Sequence, residues 1–123
     1  IQAEGSKAIL QIFHGGRMCS PGQINGAQPV APSAVAAPRP EAVVPRELSA
    51  AEVEELIEKF GATARRAVEA GFDGVEIHGA NTYLVQQFFS PHSNRRDDEW
   101  GGDRAGRARF PLERQPEQVT NHC

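Results

Sequence analysis

Between Met18 and Leu48, prolines at 21, 29, 32, 38, 40 and 45 alternate with Gly22, Gly26 and a scatter of Ala and Val. Proline fixes φ and has no N–H to donate, so prolines at this frequency break both helix and strand ladder. The spacing predicts an extended loop over 18–48. A loop of that length in a compact domain is a lid, a binding loop or a linker. Regular structure must then come from the segments on either side of it.

Upstream, Lys7-Ala8-Ile9-Leu10-Gln11-Ile12-Phe13 is an apolar run broken by one Gln and closed by His14-Gly15-Gly16-Arg17. Apolar character on both faces suits a buried parallel strand. It would bury Gln11 near the strand end, where the carboxamide needs protein or ligand partners.

Downstream, Ser49-Ala50-Ala51-Glu52 is a capping box that predicts a helix start. Val53, Leu56, Ile57, Phe60, Ala64, Ala67 and Val68 repeat at helical spacing, with Glu54, Glu55, Glu58, Arg65, Arg66 and Glu69 on the other face. Gly61 inside this helix implies close packing, and Gly71 predicts its stop, because glycine takes the left-handed C′ conformation freely. Phe72-Asp73-Gly74-Val75-Glu76-Ile77-His78 then reads as a turn into a second strand. Strand, loop, helix and strand make a βαβ unit with a parallel sheet. A further helical stretch begins at Tyr83 and runs to Phe89. Asp103 or a neighbour caps another through Phe110, and periodicity ends after Leu112.

Thirteen Lys+Arg against 16 Asp+Glu give a net charge of −3, which leaves no global positive field for nucleic acid or anionic lipid. A small molecule is the expected partner. The Arg95 to Arg114 stretch interleaves its arginines with acids and reads as a salt-bridged surface. No apolar run approaches the ~18 residues of a membrane span. Cys19 and Cys123 have no paired spacing, so a reducing, cytoplasmic setting is expected. The chain begins with Ile rather than Met, as a part of a longer polypeptide would.

Chemistry concentrates just past the second strand, in His78-Gly79-Ala80-Asn81-Thr82-Tyr83. Parallel α/β sheets bind ligands at the carboxyl ends of their strands, where this cluster falls. His78 and Asn81, three apart, can aim two donors at one oxygen, and the Tyr83 phenol can supply a proton beside it. The same residues also suit a satisfied histidine, a capping Asn and an amphipathic Tyr. His14, His78, His92 and His122 lack metal-ligand spacing, so no metal is expected. His14-Gly15-Gly16-Arg17 also suits an anion-cradling turn.

Three motifs in order, Ile9 to Arg17, Ala70 to Leu84 and Ser93 to Gly102, resemble the old yellow enzyme family of FMN-dependent ene-reductases. The resemblance implies an α/β fold, a partial (β/α)8 TIM barrel of about two βα units, corresponding to the third and fourth strands. Residues 1–113 would be that partial domain, 18–48 the long loop after its first strand, and 114–123 a tail outside the family pattern. The resemblance further implies that Gln11 binds the FMN pyrimidine edge. His78 and Asn81 would bind the carbonyl oxygen of an enone-type substrate, Tyr83 would be the proton donor, and NAD(P)H the reductant. Thr82 stands where the family has Gly, and Gly106 where it has Asn. About two strands of eight are covered, without the flavin phosphate site. The competing expectation is a non-catalytic remnant that binds no flavin alone and self-associates through uncovered barrel edges.

Overall fold

In the computed structural model, which describes residues 1–113, the first predicted strand is β1 (Ile9–Ile12). Two short pieces of the Pro-rich segment follow, β2 (Val30–Ala31) and β3 (Arg46–Glu47), then helix α1 (Ala50–Glu69), strand β4 (Gly74–Ile77) and helices α2 (Leu84–Phe89) and α3 (Arg104–Leu112). The expected tail, 114–123, lies outside the described residues.

β1 and β4 pair in parallel, Ile9 with Gly74 through Ile12 with Ile77, and α1 is the crossover between them. The α1 boundaries are the predicted ones. Ser49 Oγ accepts from Glu52 N–H at 3.2 Å, and the Glu52 carboxylate accepts from Ser49 N–H at 2.8 Å. Arg46 grips the same carboxylate at 2.7 and 2.9 Å, and this contact, with the Ser49 N–H, holds the Glu52 pKa down at about 2. At the other end Gly71 adopts φ 90°, and the Gly71 and Phe72 N–H groups donate to Val68 and Ala67 carbonyls, a complete Schellman motif. Val53, Ile57, Ala64 and Ala67 are buried as the periodicity requires, whereas Val68, expected on that face, is exposed.

The core lies among the helices rather than against the sheet. Leu48, Val53, Ile57, Leu84, Val85, Phe88, Trp100 and Phe110 form one cluster, with Phe88 stacked on Phe110 at 4.2 Å. Asp103 caps α3 by accepting from Gly106 N–H at 2.8 Å.

Two expectations need correction. The 18–48 segment is not structureless: single 3-10 turns form at Gly16–Met18 and Pro21–Ile24, and β2 pairs in parallel with β3 through Arg46 N–H to Pro29 O (2.8 Å) and Leu48 N–H to Ala31 O (3.0 Å). The prolines tolerate this because they sit beside the ladder or supply its carbonyls. Nor is β1 buried on both faces. Ile12 is buried, but Ile9, Gln11 and Phe13 are exposed, because α1 packs on one face of the sheet and nothing among the described residues covers the other.

The arginine-rich stretch is also more than a surface. Arg96 is buried: its Nη1 donates to the carbonyls of Pro32 (3.0 Å) and Leu48, and its Nε and Nη2 pair with the Asp98 carboxylate. One guanidinium thereby ties the Pro-rich segment, the approach to α1 and the 94–102 loop together, and it lowers the Asp98 pKa below the usual carboxylate range.

Candidate active site

The β1–β4 register fixes which residues share the uncovered face. Gln11 pairs with Glu76, so the alternation of each strand puts Gln11 and Phe13 of one chain segment on the same side as Glu76 and His78 of the other. The loop after β4 folds back over the strand ends. Leu84 N–H donates to His14 O at 2.9 Å, and His78 N–H donates to Ile12 O at 3.0 Å. His78, Asn81 and Tyr83 are thus gathered at the carboxyl ends of two parallel strands, where the sequence placed them.

The three do come together. Asn81 Nδ2 lies 3.4 Å from His78 Nε2, and the His78 and Tyr83 rings meet edge to face with centroids 5.1 Å apart. Ala80 N–H lies 3.4 Å from His78 Nδ1, and the Asn81 amide lies within hydrogen-bond reach of Nε2 on the other side of the ring. In the tautomer that carries its proton on Nε2, the ring N–H and the Asn81 amide are two adjacent donors able to converge on one external oxygen. That is the arrangement needed to hold and polarise a carbonyl.

Phe13 completes the wall, and sequence reasoning gave it no role. Its ring is 4.9 Å from that of Tyr83 and 6.3 Å from that of His78. The only signal was its alternation with Gln11 on the strand. Gln11, expected to be buried, is exposed on the same face, and its Nε2 donates to Glu76 Oε1 at 2.8 Å.

The anion-cradling alternative for His14 to Arg17 does not hold, because these groups bond internally. Gly16 N–H donates to His14 Nδ1 at 3.0 Å, Arg17 N–H to Gln87 Oε1 at 3.2 Å, and the Arg17 guanidinium to the Val35 and Ala36 carbonyls. Burial, aided by the nearby Lys59 charge, lowers the His14 pKa below its ordinary 6.5. Protons then bind the unfolded chain better than the folded one, so His14 stabilises the fold fully above pH 6.5 and loses that contribution as the pH falls. Unfolding midpoints at pH 7.5 and 5 are expected to differ less in His14→Gln than in the parent protein; equal acid-side losses would remove His14 from this role. Among the described residues, no three His, Cys, Asp or Glu side chains converge as a metal site, and no helix is long and apolar enough to cross a membrane.

Residues 1–122 match the sequence model of the NADH:flavin oxidoreductase / NADH oxidase family. The chain is 71% identical over 112 residues to NADH:fumarate oxidoreductase of Klebsiella pneumoniae (strain 342), covering 91% of this chain and 12% of that protein. It is 61% identical over 112 residues to NADH:acrylate oxidoreductase of Vibrio harveyi, covering 91% of this chain and 11% of that protein. Among solved structures it is similar to morphinone reductase, with a TM-score of 0.83 and 38% identity over 90% of this chain and 34% of the other. The chain therefore spans about a third of that structure and about a tenth of the two sequence relatives.

Proposed function

From the premise that the chain belongs to the NADH:flavin oxidoreductase / NADH oxidase family, we propose that it is the substrate-polarising segment of an FMN-dependent enzyme that uses NAD(P)H to reduce the C=C bond of α,β-unsaturated carbonyl compounds. The observation that carries this is the convergence of His78 Nε2 and the Asn81 amide, 3.4 Å apart, beside the Tyr83 ring. Fumarate and acrylate, in the names of the two relatives, are themselves alkenes conjugated to a carboxyl group.

The chain's residues suit the flavin. Gln11 lies exposed on the open face of the β1–β4 sheet, where a carboxamide can both donate to and accept from a pyrimidine edge. FMN, when bound, supplies the hydride relay between nicotinamide and alkene. His78 and Asn81 hold the substrate oxygen and stabilise the negative charge that builds on it as the β-carbon is reduced. Tyr83 delivers its hydroxyl proton to the α-carbon. Phe13 lines the same space through its ring contacts with Tyr83 and His78.

In the flavin-loaded protein that carries this chain, His78→Ala is expected to weaken binding of a phenol, which mimics the enolate, by about tenfold to a hundredfold in Kd, the loss of one strong hydrogen bond. An unchanged Kd, read by titrating the flavin absorbance, would make His78 structural.

The exposed Ile9 and Phe13 on the bare sheet face favour a second reading for the segment in isolation, a remnant that associates through that face and binds no flavin. The purified 123-residue chain is expected to be colourless; a yellow chain with near-stoichiometric flavin would exclude the remnant.

A further inference from the structure

Asn81 and Thr82 are consecutive non-glycine residues in the left-handed region, with φ 54° and 59°. A β-branched residue there is an outlier that persists only when its surroundings over-determine it. Two neighbouring glutamines of α2 do so. Thr82 N–H donates to Gln86 Oε1, and Thr82 O accepts from Gln87 Nε2. Gln87 is only 1% exposed, and its remaining bonds cross to the loop after β1: Nε2 donates to Gly15 O at 3.1 Å and Oε1 accepts from Arg17 N–H at 3.2 Å. Gly16, at φ 57°, lies so close that a Cβ there would collide with the Gln87 carboxamide.

We propose that Gln86 and Gln87 are positioning residues for ligand binding: by clamping both backbone polar groups of Thr82, they hold the Asn81 carboxamide beside His78 so that the two donors converge on one ligand oxygen. The inference rests on the functional reading above. If the clamp is released, Thr82 relaxes toward negative φ. The Asn81–Thr82 peptide then turns, and the Asn81 amide swings off the His78 ring. Gln86 is exposed and, among the described residues, its one side-chain bond is to Thr82, so it separates positioning from folding. Gln87 additionally joins the two loops that carry the site.

The test uses the flavin-loaded protein containing this chain, with 4-hydroxybenzaldehyde as the probe. Gln86→Ala is expected to raise its Kd about fivefold to tenfold, the loss of one neutral hydrogen bond, with an unchanged unfolding midpoint and faster amide exchange across residues 80–84. Gln86→Glu, which keeps the acceptor, is expected to retain the parent affinity and exchange rate. Gln87→Glu, which cannot donate to Thr82 or Gly15, is expected to lose affinity at least as far as Gln86→Ala. A Kd within twofold of the parent in Gln86→Ala overturns the positioning role, whatever the exchange rate. Parent protein that binds no phenol overturns the functional reading and the role of the clamp with it.

Discussion

Replacing Tyr83 with Phe is expected to slow reoxidation of the reduced flavin by an enone about a hundredfold or more, the usual contribution of a positioned general acid, while flavin reduction by NAD(P)H stays within about twofold. The selectivity follows from geometry. The Tyr83 ring packs between Phe13, at 4.9 Å, and His78, at 5.1 Å, and Phe preserves both contacts. Only the hydroxyl is lost, and the reductive half-reaction has no α-carbon to protonate. Stopped-flow absorbance of the flavin, followed separately in each half-reaction, makes the comparison. Equal slowing of both halves would mean that Tyr83 shapes the flavin site and carries no proton.

The largest effect on stability is expected at Arg96, with Arg96→Leu costing about 3 kcal/mol or more. The substitution leaves the Pro32 and Leu48 carbonyls without the donor of a side chain that is 4% exposed, and takes the guanidinium from the Asp98 carboxylate, which keeps the Trp100 N–H. Buried acceptors that lose a charged donor bear their full desolvation cost, which is why this change exceeds the loss of an ordinary surface pair. Arg104→Ala, on the exposed first turn of α3, is expected to stay within about 0.5 kcal/mol. Chemical denaturation of the protein carrying this chain measures both. An Arg96→Leu variant as stable as Arg104→Ala would show that the Pro-rich segment is held by its apolar contacts instead.

The elements that were legible in the sequence are those whose signal is local. The capping box at Ser49, the apolar spacing from Val53 to Ala67 and the stop at Gly71 each act within a few residues, so the 20-residue helix α1 has the ends its sequence specifies. The Asp103 cap is legible for the same reason. Val68 shows the boundary of that logic, because an apolar residue at helical spacing is buried only if something stands opposite it. Gln11 fails in the same way: an apolar run implies a covered strand, yet one face of β1 has no cover among the described residues.

The Pro-rich segment departs from an extended loop for a different reason. Proline forbids donation, but it leaves its carbonyl available, and the bonds that order residues 29–48 use Pro29 and Pro32 as acceptors. Arg96 and Gln87 were equally invisible. Each looks like an ordinary polar residue in a polar stretch, and each is buried because it satisfies backbone groups from segments distant in sequence: Pro32 and Leu48 for Arg96, Gly15 and Arg17 for Gln87.

By itself the sequence determined the βαβ order and the caps of the helices, since their signals are local, while the family and the candidacy of His78, Asn81 and Tyr83 were legible through three motifs that resemble it. Only the tertiary structure decided that the three side chains meet, that Phe13 joins them, and that a left-handed Asn81–Thr82 turn is held from behind by two glutamines. Those facts depend on how the loops after β1 and β4 pack together, and a linear pattern does not encode which distant carbonyl a buried amide will find.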